Sequence, residues 1–397
     1  MEINVQKISK SVYLKNFLIF MVLFPPALPL FSKFVQLRAV LVVVLLLYFI
    51  QNLNFSSFRK EQKYIFYALF GYVLFSTLSN IFAGYNSISG FMFNVLIPTV
   101  PLAMVYWCEY LKKKYGSISY NIIYAIMLVY VLLNILTMIM VPEGYKEIDE
   151  ELNPYMEEIS GRTYFIGGKF ISAYFHIIFA AFVIYVSKHS RIKKRIIMAL
   201  FFVYALGSAL YMKGMTSSGI LIFFATFYFL NLPTKILRNP IFILGAIVTM
   251  SIVMLLFQGY LLHNRLYLYV VEEVMGKDSH MTGRLDIYYR LSQYLLEHGG
   301  LIGAGTGYNF VKMVGAGNMQ NELFQIMFQT GIGGAFCFFL YLYLNMKYAI
   351  YDKHTRYWFV ALGALLLASL VEVPFDGPFM AFIAMMPKKY ETSTVRI

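Results

Sequence analysis

Charge is scarce in this chain. Asp, Glu, Lys and Arg make up 13% of its 397 residues, where an ordinary soluble domain carries ~25%, so a water-bathed globular surface is excluded. Cysteine is scarcer still. Cys108 and Cys337 both fall at or inside apolar segments, which leaves neither a disulfide framework nor a thiolate metal cluster. His263, His280 and His298 lack a metal-ligand spacing such as HExxH, and no bound metal is expected. No internal repeat or low-complexity tract is visible. No signal-peptide cleavage pattern follows the first apolar run, which begins after Lys7, Lys10 and Lys15 and is interrupted by Pro25, Pro26 and Pro29. That run is expected to stay as a helix of the mature chain.

Apolar residues are abundant, at 59% of the total. A membrane helix needs about 20 of them in succession. Candidate spans lie near 14–31, 35–53, 64–83, 90–107, 121–141, 169–187, 196–213, 217–232, 240–260, 322–345, 357–371 and 375–387. The expected fold is therefore an all-α integral membrane protein, one polytopic domain over 1–397 with about 12 transmembrane helices. Proline marks the weakest spans: Pro98 and Pro101 in the fourth, and Glu372-Val-Pro-Phe-Asp-Gly-Pro378 between the last two.

Sidedness follows from the basic residues. With both termini cytoplasmic, seven short cytoplasmic segments hold 22 of the 33 Lys and Arg residues, among them Lys112, Lys113, Lys114 and the run Lys188 to Arg195. The net charge of +13 is then a topology signal, and a nucleic-acid partner is excluded. The lipid bilayer is the expected surroundings. Two external loops stand out. The first, 142–168, is acidic through Glu143, Glu147, Asp149, Glu150, Glu151, Glu157 and Glu158, and closes on Arg162 and Lys169. The second, 261–321, is large and polar.

The chemistry concentrates in the second loop. Residues 282–298 read as a helix with Thr282 as N-cap, and Asp286, Arg290, Gln293 and Glu297 form one polar stripe. Leu285, Tyr288, Leu291 and Leu295 occupy other faces, to rest on the bilayer or on membrane helices. Arg290 is either an intrahelical partner of Asp286 or an anion ligand. Arg284 sits in the first turn, where the helix dipole disfavours a cation unless an anion binds there. Gly303-Ala-Gly305-Thr-Gly307-Tyr308-Asn309 lacks the βαβ context of a dinucleotide loop. Its glycines suit a tight turn over the membrane surface, with Tyr308 and Asn309 able to face a sugar. Asn318-Met-Gln320-Asn321-Glu322-Leu-Phe-Gln325 leads into the tenth span. Asn318 or Asn321 would cap that helix and Glu322 would complement its dipole. Alternatively, Gln320, Glu322 and Gln325 face a cavity, and the carboxylate serves as a general base. Arg265 is a further loop cation. Lys213 with Thr216-Ser217-Ser218 marks an outer turn that would add charge to an anion site, and His176 reads as a helix–helix hydrogen bond.

These residues resemble the O-antigen polymerase (Wzy) family of the O-antigen polymerase/ligase superfamily. The resemblance rests on Gly283-Arg284, on Gly303-x-Gly305 followed by Gly307-Tyr308-Asn309-Phe310, and on Asn321 with Gln325 leading to Thr330-Gly331-Ile332-Gly333. In topology it covers the whole chain, in motif only 282–334. Gln320-Asn321 stands where the ligases often have His-Asn, which favours polymerase over ligase. The superfamily's Ser-Arg at an earlier helix end is here Ser217-Ser218. The resemblance implies a glycosyltransferase at the external face of the bacterial inner membrane. It would transfer a growing glycan from undecaprenyl pyrophosphate to the next lipid-linked oligosaccharide repeat unit, without cofactor. It also implies a chain-length-regulating partner. Carried onto this chain, Arg284 holds the donor pyrophosphate with Arg290 or Arg265 assisting, and Glu322 is the base. Gln320, Asn321 and Gln325 contact sugar or phosphate, and Arg162 with Lys169 holds the second carrier. An O-antigen ligase acting on lipid A core and a lipid-linked oligosaccharide flippase are the alternatives.

Overall fold

The computed structural model describes residues 9–32, 34–83, 90, 94–145, 162–187, 190–257, 260, 264–269, 273, 284–298, 300–306 and 319–391. Along the chain the helices are α1 (Lys10–Leu23), α2 (Pro29–Ser32), α3 (Val35–Asn52), α4 (Lys60–Ala83), α5 (Thr99–Tyr115) and α6 (Ile118–Met140). After these come α7 (Lys169–Val186), α8 (Arg191–Tyr211), α9 (Met215–Phe229), α10 (Pro240–Leu256) and the short α11 (Arg265–Leu268). The last four are α12 (Arg284–His298), α13 (Glu322–Tyr348), α14 (Arg356–Ala368) and α15 (Gly377–Met385). Among the described residues, α4, α6, α7, α8 and α13 are long and apolar enough to cross a membrane, and α3, α9, α10 and α14 are shorter apolar helices. Large apolar side chains point outward, as on α8 with Ile192 74%, Leu200 68% and Val203 72% exposed. Water would not tolerate such a surface, and a bilayer suits it.

Several boundaries differ from those expected. The first span stops at Leu23, because Pro25 and Pro26 remove the next two backbone donors. The fourth is helical from Thr99 to Tyr115, with Pro101 tolerated in its first turn. The last is helical only over the nine residues of α15, a rise of ~14 Å against a hydrocarbon core of ~30 Å.

The chain divides into two compact units. The first comprises 1–54, 103–231 and 377–385. Its core is aromatic: the Tyr130 ring lies 5.0 Å from Phe20 and 5.2 Å from Phe165, and Trp107 is fully buried. The carbonyls left open at the end of α1 are met by side chains. Arg38 of α3 donates from Nε to the Val22 carbonyl (2.9 Å) and from Nη2 to that of Leu23 (3.0 Å), and the Tyr130 hydroxyl donates to Phe24 O (2.7 Å). The end of the acidic loop folds inward here. Tyr164, Phe165 and Ile166 are buried, Ala27 N–H donates to Phe165 O, and the Phe165 and Ile166 amides donate to Thr137 Oγ1 and Asn134 Oδ1. His176 of α7 pairs with Tyr204 of α8 (Nε2 to Oη, 3.3 Å), the expected helix–helix contact.

The second unit comprises 55–102, 232–376 and 386–397. Its axis is the close antiparallel packing of α4 on α13, which glycines permit: a Cβ at Gly71 would lie 2.8 Å from Cys337 Sγ, and one at Gly333 would overlap the Phe75 ring. α13 is not continuous. Gly331 has φ 74° and ψ 177°, and the helix breaks there.

Candidate functional site

In an unbroken helix the Ile332 and Gly333 amides would bond the carbonyls of Phe328 and Gln329. Residues 300–305 enter the gap instead. Ile332 N–H donates to Gly300 O (2.7 Å) and Gly333 N–H to Leu301 O (3.3 Å). The two orphaned carbonyls receive Ala304 N–H (2.7 Å) and Gly305 N–H (3.1 Å). This is irregular backbone satisfied by protein, as an apolar setting demands. Gly303 and Gly331 are required because a Cβ on either would overlap opposing backbone. Of the glycines expected to turn over a membrane surface, Gly303 allows a close backbone approach to α13 and Gly305 one to α4, and Gly307 lies outside the described residues.

The inserted segment is latched to α4 by a buried polar cluster. Gly303 N–H donates to Ser79 Oγ (2.9 Å), and Thr306 gives both its amide and its hydroxyl to Asn80 Oδ1 (2.6 and 2.9 Å). Thr306 Oγ1 also reaches Asn94 Oδ1 (3.2 Å), and Asn80 Nδ2 donates to the Asn94 carbonyl (2.7 Å). Sequence reasoning passed over Ser79, Asn80 and Asn94. The available signal was Ser76, Ser79 and Asn80 recurring on one face of an otherwise apolar helix.

α12 begins at Arg284 and runs alongside the first turns of α13. Its Tyr288 packs on Phe324 (4.9 Å between ring centroids) and donates to Gln320 O (3.2 Å), and Tyr294 packs on Phe328 (4.9 Å). The chain then reaches Gly300 beside Ile332. Partners at 320, 324, 328 and 332 meet residues 288, 294 and 300, so α12 lies parallel to α13 and in step with it. Ile287, Tyr288 and Leu291 are buried, while Tyr289, Arg290, Gln293 and Glu297 are exposed. The polar stripe is therefore as expected at its three described side chains, and the apolar face rests on helices α10 and α13.

The start of α13 is built from the residues singled out in sequence. Asn321 is the N-cap: its Oδ1 accepts from Phe324 N–H (3.2 Å), and its Nδ2 donates to Leu370 O (3.0 Å) and Ser251 Oγ (3.1 Å). Gln325 Oε1 accepts from Met319 N–H (2.8 Å), and Gln320 takes a left-handed backbone at φ 49°. Glu322, 4% exposed, donates its amide to Ser369 O (2.8 Å) and accepts from Phe375 N–H through Oε2 (3.1 Å). Phe375 in turn stacks on Phe338 (5.4 Å). Asn321, Glu322 and Gln325 are thus occupied in joining α13 to segment 319–320 and to the linker 369–376.

No family model, curated protein or solved structure matches the chain. The site is accordingly read from its own residues.

The structure gathers Gln320, Asn321, Glu322, Gln325 and Arg290 in the second unit, with Arg284 opening α12. Arg265 is exposed at the start of α11. Tyr308 and Asn309, Thr282 and Gly283 lie outside the described residues, as do the side chains of Arg284 and Asp286. Arg162 and Lys169 belong to the first unit. There Arg162 lies 4.3 Å over the Tyr211 ring and 3.8 Å from Glu143, while Ser217 Oγ donates to Lys169 O (2.9 Å) and Gly214 packs on the Lys169 side chain. Lys169 thus opens α7 beside Gly214, the residue after Lys213, while Arg162 is held against Tyr211 and Glu143. Among the described residues, no group of three His, Cys, Asp or Glu side chains is placed to hold a metal.

Proposed function

We propose that this chain polymerises lipid-linked oligosaccharide repeat units. It would move the growing glycan from undecaprenyl pyrophosphate to the next lipid-linked unit at the outer face of a bacterial inner membrane. In this reading the chain has about 12 spans, both termini are cytoplasmic, and 142–168 and 261–321 face outward. The observation that carries it is α12: a helix holding Arg284, Arg290, Gln293 and Glu297 is laid along apolar α13 and fixed there by backbone hydrogen bonds. Such groups are costly beside apolar helices and mark a polar ligand. The resemblance to the Wzy family supplies the reaction.

Arg284 and Arg290 take the donor pyrophosphate, with Arg265 as a further cation. Arg162 with Lys169 takes the second carrier's phosphates. Gln320 lends its backbone to the turn beneath Tyr288, and Asn321 and Gln325 keep that turn in shape. Glu322 is buried and held by Phe375, so the carboxylate we assign as base for the acceptor hydroxyl is Glu297, exposed two turns after Arg290. The sugar oxygen attacks the anomeric carbon, the bond to the pyrophosphate oxygen breaks, and the proton passes to the carboxylate. Tyr308 and Asn309 remain candidate sugar contacts.

The test is surface glycan length in a strain lacking the gene, complemented with wild type, Arg290→Ala or Glu297→Gln at matched membrane levels. Single capped repeats in the null and a ladder only with wild type are the expected results. Ladders of normal length in the null would refute a polymerase.

A second reading, a lipid-linked oligosaccharide flippase, is favoured by one observation: α13 is interrupted at Gly331 and mended by an inserted segment, and discontinuous helices are common in transporters. Lipid-linked units accumulating on the inner leaflet of the null strain would select it. An O-antigen ligase would leave the null strain without even single repeats on its core acceptor.

A further inference from the structure

Exposed side chains near the break in α13 are of two kinds. Leu301 and Ile332, adjacent through the stitched backbone, are 63% and 51% exposed, and Phe336 one turn further along is 69% exposed. These suit hydrocarbon. Gln293 and Glu297 are exposed too, on the helix that ends at His298, two residues before Gly300. Because α12 and α13 run in step, Glu297 stands about level with Thr330, and Gln293 about one turn nearer the start of α13.

A span of about 20 residues counted back from Lys347 covers the ~30 Å hydrocarbon core and begins near residue 328. Glu297 therefore lies at a depth where Ile332 faces lipid. A carboxylate held there by a helix stitched to α13 cannot swing to the surface as a mobile loop residue would. It must meet water or a polar ligand. The fully described part of this face, Tyr289, Arg290, Gln293 and Glu297, combines an aromatic plane with amide, carboxylate and guanidinium groups. That set suits a hydroxyl-rich chain, the ring stacking on the less polar face of a sugar and the others accepting and donating to hydroxyls.

We infer that α12 is a re-entrant helix whose Tyr289–Glu297 face forms the glycan-contacting wall of a water-filled cleft descending to the level of the α13 break. The glycan occupant rests on the polymerase reading; the cleft does not.

Single cysteines at Gln293, Glu297, Ile332, Phe336 and Glu143 would be placed in a chain carrying Cys108→Ala and Cys337→Ala. They would be reacted with a membrane-impermeant maleimide in sealed vesicles of both orientations. Expected is reaction at 293 and 297 from the same side as Glu143 and at a comparable rate, with 332 and 336 unreactive. Reaction at 293 and 297 no faster than at 332 and 336 would overturn the cleft. In cells, Tyr289→Ala and Gln293→Ala at normal membrane levels should shorten the modal glycan length. Ladders of wild-type length from both would overturn the glycan wall. A null strain with unaltered glycan would remove the polymerase reading and this occupant together, while the labelling result still decides the cleft.

Discussion

Replacing Gly331 by alanine bears on whether the inserted segment 300–305 holds α13 together. At φ 74° and ψ 177° the backbone occupies a region that is essentially glycine's own, and a side chain there costs about 1–3 kcal/mol. The added Cβ would also overlap the Leu301 carbonyl. Relieving that overlap moves Leu301 away from the Gly333 amide, and a donor stranded in an apolar setting costs about 1–3 kcal/mol more. The sum, about 2–6 kcal/mol, is a large share of the 5–15 kcal/mol typical of a folded domain. Two companions separate its parts. Gly303→Ala meets backbone of Phe328, Gln329 and Thr330 without a left-handed φ, so it isolates the close approach. At Gly245 in α10 a Cβ meets nothing within 4 Å, and alanine there should stabilise by about 0.5–1 kcal/mol.

The assay is thermal unfolding of the detergent-solubilised protein. At about 2 °C per kcal/mol for a chain of this size, Gly331→Ala should melt about 4–12 °C lower. Gly303→Ala should also melt lower, and Gly245→Ala level with wild type or slightly higher. A Gly331→Ala protein melting with wild type would refute the stitched break, because neither the strain nor the displaced carbonyl could then exist.

Substitutions at two further positions test side chains that mend the fold. If Glu322 chiefly holds the Phe375 amide, Glu322→Gln keeps an acceptor oxygen and should retain both membrane level and glycan ladder. Glu322→Ala leaves the amide without its partner and should lose about 1–3 kcal/mol, read as a lower melting temperature. An abundant, well-folded Glu322→Gln protein without polymerising activity would return the base role to Glu322. Arg38→Met removes two charge-assisted bonds to the Val22 and Leu23 carbonyls. At about 1.5–3 kcal/mol each it should destabilise strongly, with Arg38→Lys intermediate because an ammonium lacks the fork that reaches both oxygens. Equal melting of the Met and Lys variants would count against this cap.

How legible these features were in the sequence depends on the range over which each is determined. Apolar helices α4, α6, α7, α8 and α13 are legible because span length and composition are local. The stop of α1 at Leu23 was missed by the span of 14–31, although Pro25 and Pro26 carry the local signal for it. The N-cap at Asn321 was one of two candidates; its bond to Phe324 N–H is local, but the partners Ser251 and Leu370 that hold its other side-chain atom are distant in sequence. No local pattern points to the role of Arg38, because the carbonyls it serves lie 15 and 16 residues earlier. Glu322 was weighed as a complement to the helix dipole or as a base from its neighbours along the chain. Its partner Phe375 is 53 residues away, beyond the reach of any local pattern.

The glycine motif shows why composition alone could not distinguish turn from close approach. Gly303, Gly305 and Gly331 each permit what a side chain would forbid, but a left-handed turn and a backbone contact leave the same letter in the sequence. What separates them is the opposing surface: Phe328, Gln329 and Thr330 for Gly303, Leu301 for Gly331, and the Asn80 amide for Gly305. A turn lying over a membrane surface would need no such partners and would leave the Phe328 and Gln329 carbonyls and the Ile332 and Gly333 amides to find others. With those four groups matched by segment 300–305, the two helical hydrogen bonds lost at the Gly331 break are replaced by four to the inserted segment. The interruption therefore joins the segment after α12 to α13, and on this face Arg290, Gln293 and Glu297 are exposed while Glu322 is buried.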